Sequence, residues 1–360
     1  MKAILCGGGT GGHIYPALSI ANQFRADGVG ILYMGTEDSL EAKLASENGF
    51  AFFAIPATGL HRRSVRLVKD LTVNYSGLRM AKKIIKDFAP DIAIGTGGYA
   101  SAPVIKAAQQ IGIPTLIHEQ NVFPGLSNRM LAKGATAVCL TFAAAEAYFP
   151  EKAKMHLTGL PIRREILTVS QEDALEFFGL SPLDKTKTLL ITGGSQGATS
   201  LNNAFEGCCS KLLDLGYRVI HLCGERDYSR LKQTLPERPN LILRPYLEKI
   251  EYALALADLA FSRAGASFLA EAAAVGLPLI LSPYPHAAND HQSFNAHAFV
   301  ESDAAIVIPD SELSPDILLT TVQLLLEDSA QLRSMSKQSQ NLAQPEAAKK
   351  IAEIAYGLLA

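Results

Sequence analysis

Lys2-Ala3-Ile4-Leu5-Cys6-Gly7-Gly8-Gly9-Thr10-Gly11-Gly12-His13 is an apolar run that ends abruptly in glycines. About halfway along the chain the same grammar returns as Thr188-Leu189-Leu190-Ile191-Thr192-Gly193-Gly194-Ser195-Gln196-Gly197. Short runs of Val, Ile, Leu and Ala without polar alternation are what parallel strands buried on both faces look like. Further runs occur at 30–35, 92–95, 115–118, 217–223, 258–262 and 278–282, each followed by a helical pattern. Strand and helix alternating along the whole length predict α/β architecture with parallel sheets.

Two glycine-terminated first strands predict two Rossmann-like sheets. A length of 360 residues points the same way, because one hydrophobic core seldom serves so long a chain. Between the two strands lies Thr158-Gly159-Leu160-Pro161-Ile162-Arg163-Arg164, a Gly/Pro segment suited to an interdomain hinge. The expected division is residues 1–161 plus 341–360 for one domain and 162–340 for the other. The final helical pattern, from about 345 to 359, suits packing on either.

Composition narrows the class. The chain is 48% hydrophobic and 19% charged, which is ordinary for a globular protein. A net charge of -2 argues against a whole-protein nucleic-acid binder, so no nucleic acid is expected as a partner. Cys6, Cys139, Cys208, Cys209 and Cys223 are scattered and never spaced as CxxC, so buried thiols in a reducing cytosol are expected rather than disulfides or zinc. An uncharged run starts at Ala272, but Gly276, Pro278, Pro283 and Pro285 interrupt it. Nothing approaches the roughly 20 apolar residues of a membrane span, which predicts a cytoplasmic protein whose membrane contact is peripheral.

The glycine loops carry the chemistry. Residues 7–12 match G-x-G-x-x-G between strand and helix, where backbone can approach a diphosphate or a sugar and the helix start supplies N–H groups. For a dinucleotide the pattern wants an acid near the ribose, and Asp27 and Glu37 straddle the expected spacing without settling it. His13 puts an imidazole at the helix start. Residues 193–197 spell G-x-S-x-G, either a nucleophile elbow with His286, His291 or His297 available downstream, or a second phosphate cradle with Ser195 as a donor. The duplicated architecture favours the cradle.

Three more segments sit at strand ends. Gly97-Gly98-Tyr99-Ala100-Ser101-Ala102-Pro103 starts another helix with glycines. His118-Glu119-Gln120-Asn121 follows a strand at its carboxyl end, where ligands bind in open α/β sheets, though a plain polar loop would read the same. Arg263-Ala264-Gly265-Ala266-Ser267-Phe268-Leu269-Ala270-Glu271 opens a helix with small residues, and Glu271, about one turn in, suits the two hydroxyls of a ribose. Downstream come His286, Asn289, Asp290, His291 and Gln292 in one polar loop.

Over residues 61–87 the charge changes sign. Arg62, Arg63, Arg66, Lys69, Arg79, Lys82, Lys83 and Lys86 face only Asp70 and Asp87, with Leu67, Val68, Leu71, Val73, Tyr75, Leu78, Met80, Ile84 and Ile85 interleaved. Such a basic, amphipathic surface attracts anionic lipid. A solvated helix over a core is the alternative.

Taken in order, T-G-G-H (residues 10–13), G-G-Y-x-S-x-P (97–103), H-E-Q-N (118–121), G-G-S-Q-G-A (193–198) and the Glu271 helix resemble the MurG family of UDP-N-acetylglucosamine transferases of peptidoglycan synthesis. The resemblance implies a GT-B type fold, two Rossmann-like domains facing across a cleft, with the C-terminal helix returning to the first. It implies an inverting transfer of N-acetylglucosamine from UDP to undecaprenyl-pyrophosphoryl-N-acetylmuramyl-pentapeptide at the inner leaflet of the cell membrane. Donor contacts carried over are Thr10, Gly11, Gly12, Asn121, Arg163, Ser195, Leu247, Ala266, Ser267, Phe268, Leu269, Ala270, Glu271 and Gln292. Gly97, Gly98, Tyr99, Ser101, His118 and Glu119 fall on the acceptor side.

Within that reaction His13 is the candidate base, since an imidazole titrates near neutrality. No Asp-x-Asp stands at a strand end, so neither a metal nor a cofactor is expected; helix N-termini would stabilise the leaving diphosphate. The chain departs from the family twice: Leu160 stands where Asn is usual, and the 284–292 stretch is one residue longer than in some members.

Overall fold

The computed structural model describes residues 1–60, 66–194 and 196–359. The chain divides into two compact units, Met1–Arg163 with Gln344–Ala360, and Arg164–Ala343. Each is built on its own parallel sheet.

The first sheet has seven strands: β1 (Lys2–Cys6), β2 (Gly30–Gly35), β3 (Ala51–Ala54), β4 (Ile92–Gly95), β5 (Thr115–Glu119), β6 (Ala137–Leu140) and β7 (Met155–Leu157). Their order across the sheet is β3-β2-β1-β4-β5-β6-β7. The second sheet contains β8 (Thr188–Thr192), β9 (Arg218–Leu222), β10 (Leu241–Arg244), β11 (Leu259–Ser262), β12 (Leu279–Leu281) and β13 (Ala305–Val307), in the order β10-β9-β8-β11-β12-β13. All pairings within both sheets are parallel. In each sheet the first strand is central and the order reverses beside it, which opens a crevice at the carboxyl ends of β1 and β4, and again of β8 and β11.

The apolar runs of the sequence occupy the strands at these centres, and β1, β4, β8 and β11 are buried almost throughout. Five strands carry no signal of that kind. β3 alternates exposed and half-buried positions at the sheet's edge, β7 and β10 are edge strands of three and four residues, and β6 and β13 end without a glycine.

The last helix, Ala347–Gly357, buries Ile351, Ala352 and Ala355 in the core of the first unit, against Ile14, Ala17 and Phe24 of the helix Gly11–Ala26. Tyr356 donates its hydroxyl to Asp27 at 2.7 Å. That contact ties up one of the two acids considered for a dinucleotide ribose. It sits at the end of the Gly11–Ala26 helix remote from the glycine loop.

The long helix Leu67–Phe88 divides the basic stretch in two. Its second half is core: Ala81, Ile84 and Ile85 pack under the sheet. Its first half is not, and Val68, Leu71 and Tyr75 stand 73%, 53% and 63% exposed, one stripe at helical spacing beside Lys69 and Arg79. The part of the stretch at 61–65 lies outside the described residues. All five cysteines are buried and unpaired.

Candidate active site

In the first unit, four loops meet at the carboxyl ends of β1, β2, β4 and β5. Residues 7–10 leave β1 and enter the helix Gly11–Ala26; residues 96–97 leave β4 and enter the helix Gly98–Ile111. The two loops touch backbone to backbone. Gly8 N–H donates to Gly97 O at 3.4 Å, and a β-carbon at Gly98 would lie 2.0 Å from Gly8 O. Gly98 also holds φ at +80°, so any other residue would be both strained and blocked. Thr10, Gly11, Gly12, His13, Gly97, Gly98, Tyr99 and Asn121 are thereby gathered around one end of the sheet. Tyr99 lies across Gly9, where a β-carbon would meet its ring at 2.8 Å.

His13 is part-buried and doubly held. Thr96 Oγ1 donates to the His13 carbonyl at 2.6 Å, while His13 Nδ1 lies 3.1 Å from Thr96 O and 2.9 Å from Gln120 Oε1.

The other polar residues of β5 are beneath the site rather than in it. His118 and Glu119 are wholly buried, and their hydrogen bonds are spent inside the fold. His118 Nε2 bonds Gly159 O at 2.9 Å. Glu119 accepts from the backbone of Asn121 at 3.0 Å and of Gly125 at 3.1 Å, and from Asn128 Nδ2 at 2.9 Å. Ser101 is likewise buried and donates to Gly98 O at 3.1 Å. These three side chains shape the loops that a ligand would meet. Leu160 is buried next to Gly159. Arg163 lies over the ring of Tyr15 at 5.3 Å.

One acid under the loop has no counterpart among the sequence motifs. Glu41, from the helix Leu40–Glu47, is buried and accepts from Thr36 Oγ1 at 2.8 Å, Thr36 N at 3.2 Å and Gly9 N at 3.4 Å. Only its position in the first turn of the helix that follows β2 could have flagged it.

In the second unit the loop after β8 also meets backbone, at the end of β9 rather than of β11. A β-carbon on Gly197, which holds φ at +71°, would lie 2.2 Å from Cys223 O. Ser195 lies outside the described residues. Behind this loop, His221 Nε2 and Asn202 Oδ1 are 2.9 Å apart, and Asn202 Nδ2 donates to Asp227 at 2.8 Å and Cys223 O at 2.9 Å.

At the end of β11 the guanidinium of Arg263 is buried and acts as a girder. It donates to Ser282 O at 2.9 Å, Pro283 O at 3.2 Å and Ser200 Oγ at 2.6 Å, and pairs with Asp310 at 2.6 Å. Its charge is therefore met within the protein. The nine-residue helix Ala266–Ala274 starts just beyond, with no acid in its first turn. Ala266, Ser267, Phe268, Leu269 and Ala270 form that first turn and the next residue. Ser267 Oγ is buried there without a hydrogen-bond partner. Glu271, four residues on and hence on the same face, is buried rather than facing solvent.

Leu247 is half-buried in the loop after β10. Gln292 Oε1 accepts from Tyr284 N at 2.9 Å, which closes the 284–292 loop through two left-handed residues, Asn289 and Asp290. Two of the histidines open to a hydrolase reading are engaged locally: His291 Nδ1 with Ala288 O at 2.8 Å and His297 with Glu301 at 3.2 Å. Among the described residues no group of three or more His, Cys, Asp or Glu is placed to hold a metal ion.

Comparison with known proteins places this framework. Residues 3–140 match the glycosyltransferase family 28 N-terminal domain and 188–352 the family 28 C-terminal domain. A relative from Desulforamulus reducens, named UDP-N-acetylglucosamine–N-acetylmuramyl-(pentapeptide) pyrophosphoryl-undecaprenol N-acetylglucosamine transferase, is 46% identical over 358 residues, 96% of each chain. The chain belongs to the MurG family of glycosyltransferases. A relative of the same name from Halothermothrix orenii is 43% identical over 96% of this chain and 95% of its own. The crystal structure of Acinetobacter baumannii MurG superposes with a TM-score of 0.77 at 28% identity, covering 99% of both chains. The two parallel-sheet α/β domains are thus those of the GT-B class.

Buried imidazoles give this MurG-family fold a pH signature. Burial lowers His118 to about 4 and His221 to about 3, from an ordinary 6.5. Below 6.5 the unfolded chain takes up protons that the folded chain refuses, so folding stability is full above that value and falls as the pH drops. Denaturant titrations between pH 7 and 5 should show a loss of at most about 1.4 kcal/mol per pH unit per histidine. The slope should be shallower in His221→Gln; an unaltered slope would mean that His221 titrates normally in the fold.

Proposed function

We propose that this chain transfers N-acetylglucosamine from UDP-N-acetylglucosamine to the lipid-linked N-acetylmuramyl-pentapeptide, undecaprenyl-pyrophosphoryl-N-acetylmuramyl-pentapeptide. The observation that carries this reading is the 46% identity, across 96% of the chain, to a relative named for that reaction. In the step, an acceptor oxygen bonds to the anomeric carbon as the bond from that carbon to the diphosphate breaks. The electron pair leaves with UDP, and the hydroxyl proton passes to His13 Nε2. Configuration at the anomeric carbon inverts.

The second unit is the donor-binding half in this reading. The start of the helix Ala266–Ala274 offers N–H groups and positive potential to the diphosphate. Ser267 Oγ is a buried donor with no protein partner, and Glu271 on the same face suits the ribose hydroxyls. Ser195, Leu247 and Gln292 complete the nucleotide contacts. The first unit supplies the base and takes the acceptor, with Thr10–Gly12, Asn121 and Arg163 on the donor sugar and Gly97–Tyr99 towards the acceptor.

The exposed stripe of Val68, Leu71 and Tyr75 beside Lys69 and Arg79 suits the anionic surface of the inner leaflet. Among the described residues no helix is long and apolar enough to cross a membrane. The association would be peripheral, on the cytoplasmic face.

Three measurements test these assignments. His13→Ala should lower turnover by roughly 10²-fold or more while UDP affinity stays near that of the parent; an unchanged turnover number removes His13 as the base. Glu271→Ala should weaken UDP-sugar binding in calorimetry by about tenfold, the worth of one or two charge-assisted hydrogen bonds, and equal affinity rejects the ribose contact. Replacing Val68, Leu71 and Tyr75 together by Ser should reduce partition onto anionic vesicles about tenfold. Retained partition would move the membrane contact elsewhere. Conversion of UDP-N-acetylglucosamine without any acceptor would instead mark a sugar-nucleotide epimerase.

A further inference from the structure

Gln120 belongs to the H-E-Q-N segment but has no part in the roles assigned above. It is 2% exposed, beside the fully buried His118, and its amide is the junction of four polar contacts. Nε2 donates to Thr96 O at 2.6 Å and lies 3.1 Å from both Nδ1 and the carbonyl oxygen of His118, while Oε1 lies 2.9 Å from His13 Nδ1. Turning the amide over would press Oε1 against the Thr96 carbonyl, acceptor on acceptor. One orientation is therefore favoured.

The protons then follow along the chain of contacts. His118 Nε2 lies 2.9 Å from Gly159 O, and a carbonyl only accepts, so Nε2 carries the hydrogen. Its Nδ1 is left as the acceptor for Gln120 Nε2. Burial keeps His118 neutral at any pH above about 4, which preserves that lone pair. At the other end, His13 Nδ1 faces two acceptors, Gln120 Oε1 and Thr96 O, so it too must carry its hydrogen. The lone pair of His13 is then on Nε2. Gly97 keeps the ring seated, since a β-carbon there would come within 3.0 Å of His13 Nδ1.

We propose that Gln120, oriented by His118 and Thr96, is a positioning residue that holds His13 in the Nδ1–H tautomer and so leaves Nε2 free to take the acceptor's proton. The catalytic half of this inference rests on His13 being the base of the proposed transfer. Without the Oε1 acceptor, the imidazole loses one of the two contacts that separate its tautomers, and the Nε2–H form, which has no lone pair for the hydroxyl, gains population.

Long-range proton–nitrogen spectra of the full chain labelled with 15N-histidine read the tautomers directly, with His13→Ala and His118→Gln assigning the signals. Parent protein should show His13 as Nδ1–H and His118 as Nε2–H. Gln120→Met, close in shape but without an amide, should mix the His13 tautomers and lower kcat roughly 10- to 100-fold. KM for UDP-N-acetylglucosamine should stay within about threefold, far less than the loss in kcat. Parent His13 in the Nε2–H form overturns the inference without any variant having to fold. So does Gln120→Met with parental tautomers and kcat. If His13→Ala keeps full turnover, the base assignment fails, and with it the catalytic half of the inference. If His13→Ala loses turnover while Gln120→Met does not, only the positioning role fails.

Discussion

Backbone has to meet backbone at the carboxyl end of each sheet. In the first unit Gly98 sits where a β-carbon would be 2.0 Å from Gly8 O, and in the second Gly197 sits 2.2 Å, on the same measure, from Cys223 O. No side chain survives such an approach, and the cost of forcing one would be spread through strands that are close-packed on both faces. The loops that leave β1 and β4 can converge only because of this contact. Convergence brings a helix start, an imidazole and a polar loop to a single edge of the sheet.

Beneath the loops the fold holds more polarity than a core usually does, and it is largely satisfied. Glu119 takes hydrogen bonds from two backbone amides and Asn128, Glu41 from Thr36 and Gly9, and Arg263 reaches two carbonyls, a serine and Asp310. A buried donor or acceptor left unmet costs about 1–3 kcal/mol, more for a charge. Each of these groups therefore fixes the loop it touches to one geometry. The cases that stay unmet, such as Ser267 Oγ, stand out against that background.

The helix Leu67–Phe88 shows the opposite imbalance. Its later turns are anchored by Ala81, Ile84 and Ile85, which lets the earlier turns carry Val68, Leu71 and Tyr75 into solvent. Apolar side chains exposed in a row, bordered by lysine and arginine, cost solubility unless something covers them.

Much of the fold was legible from residue order alone. Central strands are buried on both faces, so they read as unbroken apolar runs, and in β1, β4 and β8 glycine marks the passage to a loop; that is why they and β11 announced themselves. The edge strands did not, because a half-exposed strand of three or four residues has neither run nor terminator. The ordered motifs likewise disclosed the family, since local backbone geometry requires glycines such as Gly98 and Gly197. Tertiary structure alone decided which polar residues face outward. His118 and Glu119 share one short segment with Asn121, which is only half-buried, yet their own burial spends their side chains on holding the loop. Spacing along a chain cannot say which side of a sheet end is solvent. Only the packing of Gly159, Gly125 and Asn128 around β5 settles that, because those partners come from elsewhere in the sequence.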